Sequence, residues 1–298
     1  MVCPFPIAIP NPAPRGVGFS RFMHVGCGSC GACKHNKRSE WSFRIKQEAR
    51  HADSLYFLTL TYHDSTLKHT DNFLPTLVPS HLQTFLKDIR KEQAKLSDRT
   101  LRFFGVGEYG TLYSRPHYHV LLFNLIPELS CPGKLTEIWW HGIVHKEILD
   151  QGLTHYATKY HVTTENGERH LSYTDDRVNE FTRSSNKPPD GGMYGGIGYQ
   201  YINTHGDYHR KTKTTFVIND GFKQKMPKYY FDAIFKDLSD VEKAKMREES
   251  FKRFSEKESK ELKRLSEIGY DNPEQELLHR VYWKQKNVIH KAKKKGIF

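Results

Sequence analysis

The stretch that decides the reading is Arg115-Pro116-His117-Tyr118-His119-Val120-Leu121-Leu122-Phe123. Its apolar run, Val120 to Phe123, predicts a strand in the middle of a sheet. Side chains at i and i+2 of a strand share a face, so His117 and His119 project together, close enough to chelate one cation. Polar packing at a strand start is the other reading of the same pair.

Working outward, Leu101–Val106 predicts a strand that runs into Gly107-Glu108-Tyr109-Gly110, a turn-like segment. A short loop joins it to the histidine strand, so the two form an antiparallel hairpin. The hairpin brings Glu108 to the level of His117. Two imidazoles and one carboxylate make a three-ligand site with open positions, a set that accepts Mg2+ or Mn2+ when phosphate oxygens complete the shell. Leu55–Tyr62, rich in β-branched and aromatic residues, predicts another strand, with Thr59 and Thr61 on one face.

Ser39–Ala52 predicts a helix with Trp41, Ile45 and Ala49 as its apolar stripe. Leu77–Lys95 predicts a second, capped by Ser80, burying Leu82, Phe85, Leu86 and Ile89. Leu135–His141 reads as a helix and Gly142–Ile148 as a strand. Residues 163–195 read as a polar, exposed excursion, and the glycine-rich Gly191–Gly198 as a loop. Thr214–Ile218 predicts a strand, Asn219-Asp220-Gly221 a turn, and Tyr229–Phe235 a helix. The sum is an α+β domain whose central, mostly antiparallel sheet has about five strands in a ferredoxin-like or RRM-like layout.

The N-terminal segment carries Cys27-Gly28-Ser29-Cys30-Gly31-Ala32-Cys33, a C-x2-C-x2-C spacing, with Cys3 upstream as a fourth thiolate. Glycines between the cysteines let the backbone turn sharply. In a reducing compartment such thiolates hold zinc more often than they form disulfides, although the spacing also occurs at iron–sulfur clusters. Structural Zn2+ is the favoured reading for Cys3, Cys27, Cys30 and Cys33. Cys131 stands apart as an ordinary thiol.

The 298 residues carry 46 Lys+Arg against 34 Asp+Glu, a net charge of +12, and are 13% aromatic. That balance points to a polyanion whose bases can be stacked upon. Lys34, Arg38, Arg115, Arg210, Lys211 and Lys213 are candidate phosphate contacts. No run of about 18 apolar residues predicts a membrane span. The N-terminus lacks a basic region followed by an apolar core, so a reducing cytoplasm is expected. Three regions are expected: 1–38 with the cysteines, a central domain at 39–240, and a charged helical tail at 241–298. The tail is dense in Lys and Glu to Ile268 and strongly basic from Lys284 to Lys295.

Gly152–Val162 reads as a helix placing Tyr156, Lys159 and Tyr160 on one face at i, i+3 and i+4. A free phenol, with a pKa near 10, is a poor nucleophile, but a neighbouring ammonium or metal can stabilise its charged form. Half-buried amphipathic tyrosines are the alternative.

The strand Phe57–Tyr62, the His-x-His strand and the Tyr-x-x-Lys helix together resemble the HUH endonucleases of rolling-circle replication. The doubled tyrosine, Tyr156-x-x-x-Tyr160, is similar to the two-tyrosine initiators of single-stranded DNA phages. The cysteine cluster, Gly105–Gly110, Gly195–Gly198 and Met226-Pro227-Lys228-Tyr229-Tyr230 resemble the microvirus, gokushovirus-like replication initiator. The resemblance covers about residues 20–235. One departure stands out: some relatives place a lysine three positions after each tyrosine, and here Tyr160 is followed by Thr163.

The resemblance implies an HUH nuclease domain that nicks and rejoins single-stranded origin DNA through a 5′-phosphotyrosine link. Mg2+ or Mn2+ at His117, His119 and Glu108 would polarise the scissile phosphate, and Tyr156 or Tyr160 would attack it. It implies phage genome DNA as substrate, a host helicase or replication machinery as partner, no membrane, and the host bacterial cytoplasm as location. Two other classes fit the residues: a non-catalytic, zinc-stapled nucleic-acid-binding protein, and a metal-dependent phosphodiesterase using water.

Overall fold

A computed structural model describes residues 3, 5–10, 21–28, 30–110, 113–148, 176–186, 195–219, 221–277 and 279–280. The chain forms two compact units, Trp41–Gln200 and Met1–Glu40 with Tyr201–Phe298. Among the described residues no helix is long and apolar enough to cross a membrane.

The chain begins with strands β1 (Ile7–Pro10) and β2 (Phe22–Val25), then helix α1 (Gly31–Ala49), whose last turns belong to the Trp41–Gln200 unit. That unit is built on an antiparallel sheet of five strands, β3 (Leu55–Leu60), β4 (Arg102–Tyr109), β5 (Pro116–Phe123), β6 (Val144–Ile148) and β7 (Phe181–Ser184), in the spatial order β6-β3-β5-β4-β7. Helix α2 (Pro79–Ala94) joins β3 to β4, and α3 (Pro132–Trp139) lies between β5 and β6. The first four strands thus follow the split β-α-β-β-α-β order of ferredoxin-like sheets, as the sequence led us to expect, and β7 adds a fifth at the β4 edge.

The period of two along each strand sorts the core into two layers. One face of the sheet carries Leu58, Leu60, Phe103, Tyr118, Val120 and Leu122 against Leu82, Phe85, Leu86 and Ile89 of α2 and Leu135 and Trp139 of α3. The other carries Phe57, Phe104, Val106, Leu121 and Phe123 against Ile45 and Ala49 of α1 and against Ile197. With both faces covered, β5 is almost wholly buried, which is why its sequence reads as a continuous apolar run.

Several expectations are corrected. Glu108 is not in a turn: β4 continues through Tyr109, because Gly105 to Tyr109 keep pairing with Val120 to Pro116. Ser80 does not cap α2. The helix starts at Pro79 after Val78 without a side-chain cap. Its buried start is satisfied instead by tyrosines of the sheet: Val78 N–H donates to Tyr118 Oη at 2.9 Å and Leu77 N–H to Tyr109 Oη at 3.1 Å. Helix α1 starts at Gly31, eight residues before Ser39, and takes in Cys33. Within the stretch read as an excursion, Phe181–Ser184 forms β7.

One buried ion pair has no sequence signature. Arg102 of β4 is 1% exposed and pairs with Glu48 of α1. It also donates to Gly195 O at 2.8 Å, and Gly198 N–H donates to Glu48 Oε2 at 2.7 Å, fixing the glycine-rich turn.

The other unit contains β1 paired with β2, helix α4 (Gln200–Thr212), a hairpin of β8 (Phe216–Asn219) and β9 (Phe222–Lys225), α5 (Lys228–Ile234) and the long α6 (Asp240–Glu267). The β8–β9 turn passes through Gly221 at φ +79°, a left-handed position suited to glycine. A capping box starts α6: Ser239 Oγ accepts from Glu242 N–H while the Glu242 carboxylate accepts from Ser239 N–H. Of the candidate phosphate contacts, Arg210 and Lys211 lie in the last turn of α4 and Lys213 just after it.

Candidate metal centre and cysteine cluster

Glu108 and His117 stand directly opposite in the β4–β5 register, and His119 lies opposite Thr59 of β3. All four side chains project from the α1 face of the sheet. Nε2 of His117 and Nε2 of His119 are each 3.1 Å from the same atom, Oε1 of Glu108. One ligand atom from each of the three residues lies within 4.8 Å of the others.

Hydrogen bonds behind the rings fix which nitrogen faces inward. Nδ1 of His117 is 3.1 Å from the Arg115 carbonyl, which can only accept, so that nitrogen carries a proton and Nε2 is turned to the centre. Nδ1 of His119 is 3.1 Å from Thr59 Oγ1, and its ring stacks on Phe57 at 5.2 Å and 13°. Metal-binding histidines are characteristically held this way from their second nitrogen.

The electrostatics agree with the geometry. Burial pushes the Glu108 carboxyl up, but hydrogen bonds from His117 and His119 outweigh it and hold the group below its ordinary range. Burial pulls His117 down, yet the Glu108 hydrogen bond, the Arg115 carbonyl and the charges of Glu108 and Glu180 raise it above its ordinary value. The centre therefore attracts positive charge, and its three ligand atoms form a group that could hold a metal ion.

A second group, Cys3, Cys27, Cys30 and Cys33, also brings one ligand atom from each residue within 4.8 Å. The sulfurs of Cys3 and Cys30 are 3.6 Å apart, and all four thiols are free of disulfides. Backbone N–H groups are aimed at sulfur: Cys27 to Cys3, Cys30 to Cys27 and Cys33 to Cys30, at 3.3, 3.3 and 3.5 Å. Gly26 is required by crowding, since a Cβ there would lie 2.7 Å from Cys33 Sγ, and Gly28 adopts φ +79°. Cys131 lies outside this group and is exposed.

The candidate phosphate contacts are dispersed. Lys34 and Arg38 lie half-buried in the first turns of α1. Arg115 donates to the Tyr62 carbonyl at 2.7 Å and pairs with Asp64 at 2.7 Å. Arg210 is exposed and pairs with Asp207 at 2.6 Å, while Lys211 and Lys213 are exposed. Tyr156, Lys159 and Tyr160 lie outside the described residues, as does the basic run from Lys284 to Lys295. The supporting groups Arg115 O and Glu180 escaped the sequence reading; Thr59 was legible there only as a polar residue on a strand face.

Fold and site together define an α+β protein with a Glu-His-His centre on its sheet and a four-cysteine cluster. Comparison with known proteins narrows this. Residues 55–165 match the family model of the ORF2-type replication-associated proteins. The chain is 28% identical over 217 residues to replication-associated protein ORF2 of Spiroplasma virus 4, covering 69% of this chain and 66% of that one. It is 25% identical over 221 residues to replication-associated protein VP4 of Bdellovibrio phage phiMH2K, with coverages of 69% and 66%. It is 23% identical over 231 residues to replication-associated protein ORF4 of Chlamydia phage 1, with coverages of 72% and 54%. The chain thus spans a little under two thirds of the first two relatives and about half of the third. No solved structure matches. The resemblance to phage replication-associated proteins read from the sequence holds at this level.

Proposed function

We propose that this chain is a rolling-circle replication initiator that nicks and rejoins single-stranded origin DNA. The observation that carries the reading is the convergence of two imidazole Nε2 atoms on one Glu108 oxygen, each at 3.1 Å, on a sheet of β-α-β-β-α-β order. Glu108, His117 and His119 would hold Mg2+ or Mn2+, and the bound cation supplies charge neutralisation at a phosphoryl oxygen. The tyrosine pair read from the sequence and the similarity to replication-associated proteins support transfer to a phenol over transfer to water.

In the proposed step the phenol oxygen of Tyr156 or Tyr160 attacks phosphorus. A phosphorus–oxygen bond to tyrosine forms, the bond to the 3′ oxygen breaks, the phenol gives up its proton and the leaving oxygen gains one. The products are a free 3′-OH and a 5′-phosphotyrosine. The linkage is still a phosphodiester, so a 3′-OH can reverse the step and reseal the strand. Lys159, three residues after Tyr156 in the sequence, would stabilise the phenolate. With two tyrosines, one can hold a strand while the other cleaves.

Incubation with origin single strands and Mn2+ followed by boiling in detergent tests this reading. A stable DNA–protein adduct is expected, abolished by the double change Tyr156→Phe and Tyr160→Phe. Free products without adduct would indicate hydrolysis instead, and intact DNA a binding protein.

For the cysteine cluster the proposed ion is structural Zn2+. Tetrahedral zinc with bonds of ~2.3 Å requires sulfur–sulfur edges of about 3.8 Å, close to the separation of Cys3 and Cys30. Metal analysis of the native protein should give one zinc per chain. Iron with visible absorbance would assign a cluster instead.

A further inference from the structure

Trp140 breaks two conformational rules at once. It ends α3 with φ 39°, a left-handed backbone that bulky residues rarely adopt. It also leaves 62% of its surface in water, where burial of the indole would be favourable. Strain of this kind persists only where the surroundings impose it, and it gathers at ligand sites.

Here the surroundings do impose it. The Trp140 ring lies 3.8 Å from that of His141, at 32°. His141 in turn stacks on His81 at 3.8 Å and 16°, and Tyr62 Oη lies 2.9 Å from His81 Nδ1. Burial, then His81 and Lys68, hold His141 down at about 4, so the ring beneath the indole is neutral at neutral pH. The backbone below is clamped to the exit of β3. Trp139 Nε1–H donates to Thr61 O at 2.7 Å, and His63 N–H donates to His141 O at 2.9 Å. A Cβ on Gly142 would lie only 2.0 Å from Thr61 O, so glycine is required for this approach.

The position is as telling as the rigidity. Leu60 pairs with Tyr118, so the exit of β3 lies at the level of His117, and the Trp140 loop leads into β6 on the far side of β3. Along the sheet β6 lies two strand spacings, about 10 Å, from β5, and the His141–His81 stack lies on the α2 face, opposite the Glu108 centre, so a strand reaching both places passes around the end of the sheet. Arg115, just before β5, donates to the Tyr62 carbonyl just past β3 and pairs with Asp64.

We propose that Trp140 is a base-stacking platform for single-stranded DNA, receiving a nucleobase of the strand whose phosphate is held at Glu108, His117 and His119. This rests on the nuclease reading above. A rigid, exposed indole suits a stacked base, and the net charge of +12 favours a polyanion partner. Stacking is tolerant of sequence because every base has a π-face, so the platform would hold the strand without reading it.

Fluorescence anisotropy with a labelled oligothymidine at fixed salt and saturating Mn2+ tests the assignment on the full chain. Trp140→Ala is expected to bind about 5- to 150-fold more weakly, the range for losing one stacked base. Trp140→Phe should stay near native affinity. The salt slope should not change, because no charge is removed, and neither should Mn2+ affinity nor the melting temperature. Native-like binding by Trp140→Ala overturns the platform while leaving the nuclease reading intact, as does a parallel loss of Mn2+ affinity. Failure of the native chain to bind any single strand overturns both.

Discussion

Glu108 faces His117 across the β4–β5 pair, with Oε1 of the carboxylate 3.1 Å from Nε2 of the ring. The same oxygen lies 3.1 Å from Nε2 of His119. Two imidazoles on one oxygen is an arrangement that a proton satisfies only in part and that a cation can satisfy fully. Removing Glu108, His117 or His119 by substitution with alanine is therefore expected to abolish Mn2+ binding measured by calorimetry, with the fold retained by circular dichroism.

The groups behind the ligands should matter nearly as much. Thr59 Oγ1 holds Nδ1 of His119 at 3.1 Å. Thr59→Val keeps the shape and removes the hydrogen bond, and should weaken Mn2+ binding roughly 10- to 100-fold. Unchanged affinity would show that the ring is held in place without this bond.

Proton and cation compete for the same place, which sets the pH dependence. In the metal-free chain His117 titrates above its ordinary 6.5, so its pairing stabilises the fold fully below that value and fades as pH rises through the raised one. Glu108 titrates below its ordinary 4.5, so its contribution is present above that value and is lost as pH falls through the lowered one. Mn2+ must displace the His117 proton. The rise in melting temperature on adding Mn2+ should accordingly grow between pH 6 and pH 8, while the metal-free contribution of the pair declines. An increment independent of pH would mean that the cation binds elsewhere.

Arg102 and Glu48 are 1% and 2% exposed and form an ion pair. Glu48→Ala leaves a buried guanidinium without its carboxylate and should destabilise the fold by about 3–5 kcal/mol. Urea unfolding followed by tryptophan fluorescence measures this. A loss below about 1 kcal/mol would mean that water reaches the site, as it does for exposed pairs.

Much of the centre was legible because it depends on local rules. The i, i+2 spacing of His117 and His119 needs only the strand period, and the short loop after Tyr109 forces the hairpin that presents Glu108. What escaped depends on partners distant in sequence. Phe181–Ser184 has no apolar alternation: as an edge strand paired with β4 it keeps Phe181, Thr182 and Ser184 only half-buried and Arg183 exposed. Ser80 looked like a helix cap, yet Tyr118 and Tyr109, more than 30 residues away, satisfy that helix start. Arg102 is in sequence only a polar second residue of the strand predicted at Leu101–Val106, and only the packing of α1 shows its pairing with Glu48. Trp140 reads as one more apolar residue on a helix; the left-handed turn that exposes it is set by the close approach of Gly142 to Thr61.

The central claim is that a tyrosine of the Tyr156–Tyr160 pair takes the scissile phosphate. Lys159 lies between the two, so trypsin places them on separate peptides, 147–159 and 160–169. The most direct measurement is mass spectrometry of the tryptic digest after reaction with an origin single strand and Mn2+. The account predicts a nucleotide-bearing peptide containing Tyr156 or Tyr160, absent from the His117→Ala and His119→Ala variants. A nucleotide attached to any other peptide, or cleaved DNA with both tyrosines unmodified, would contradict it.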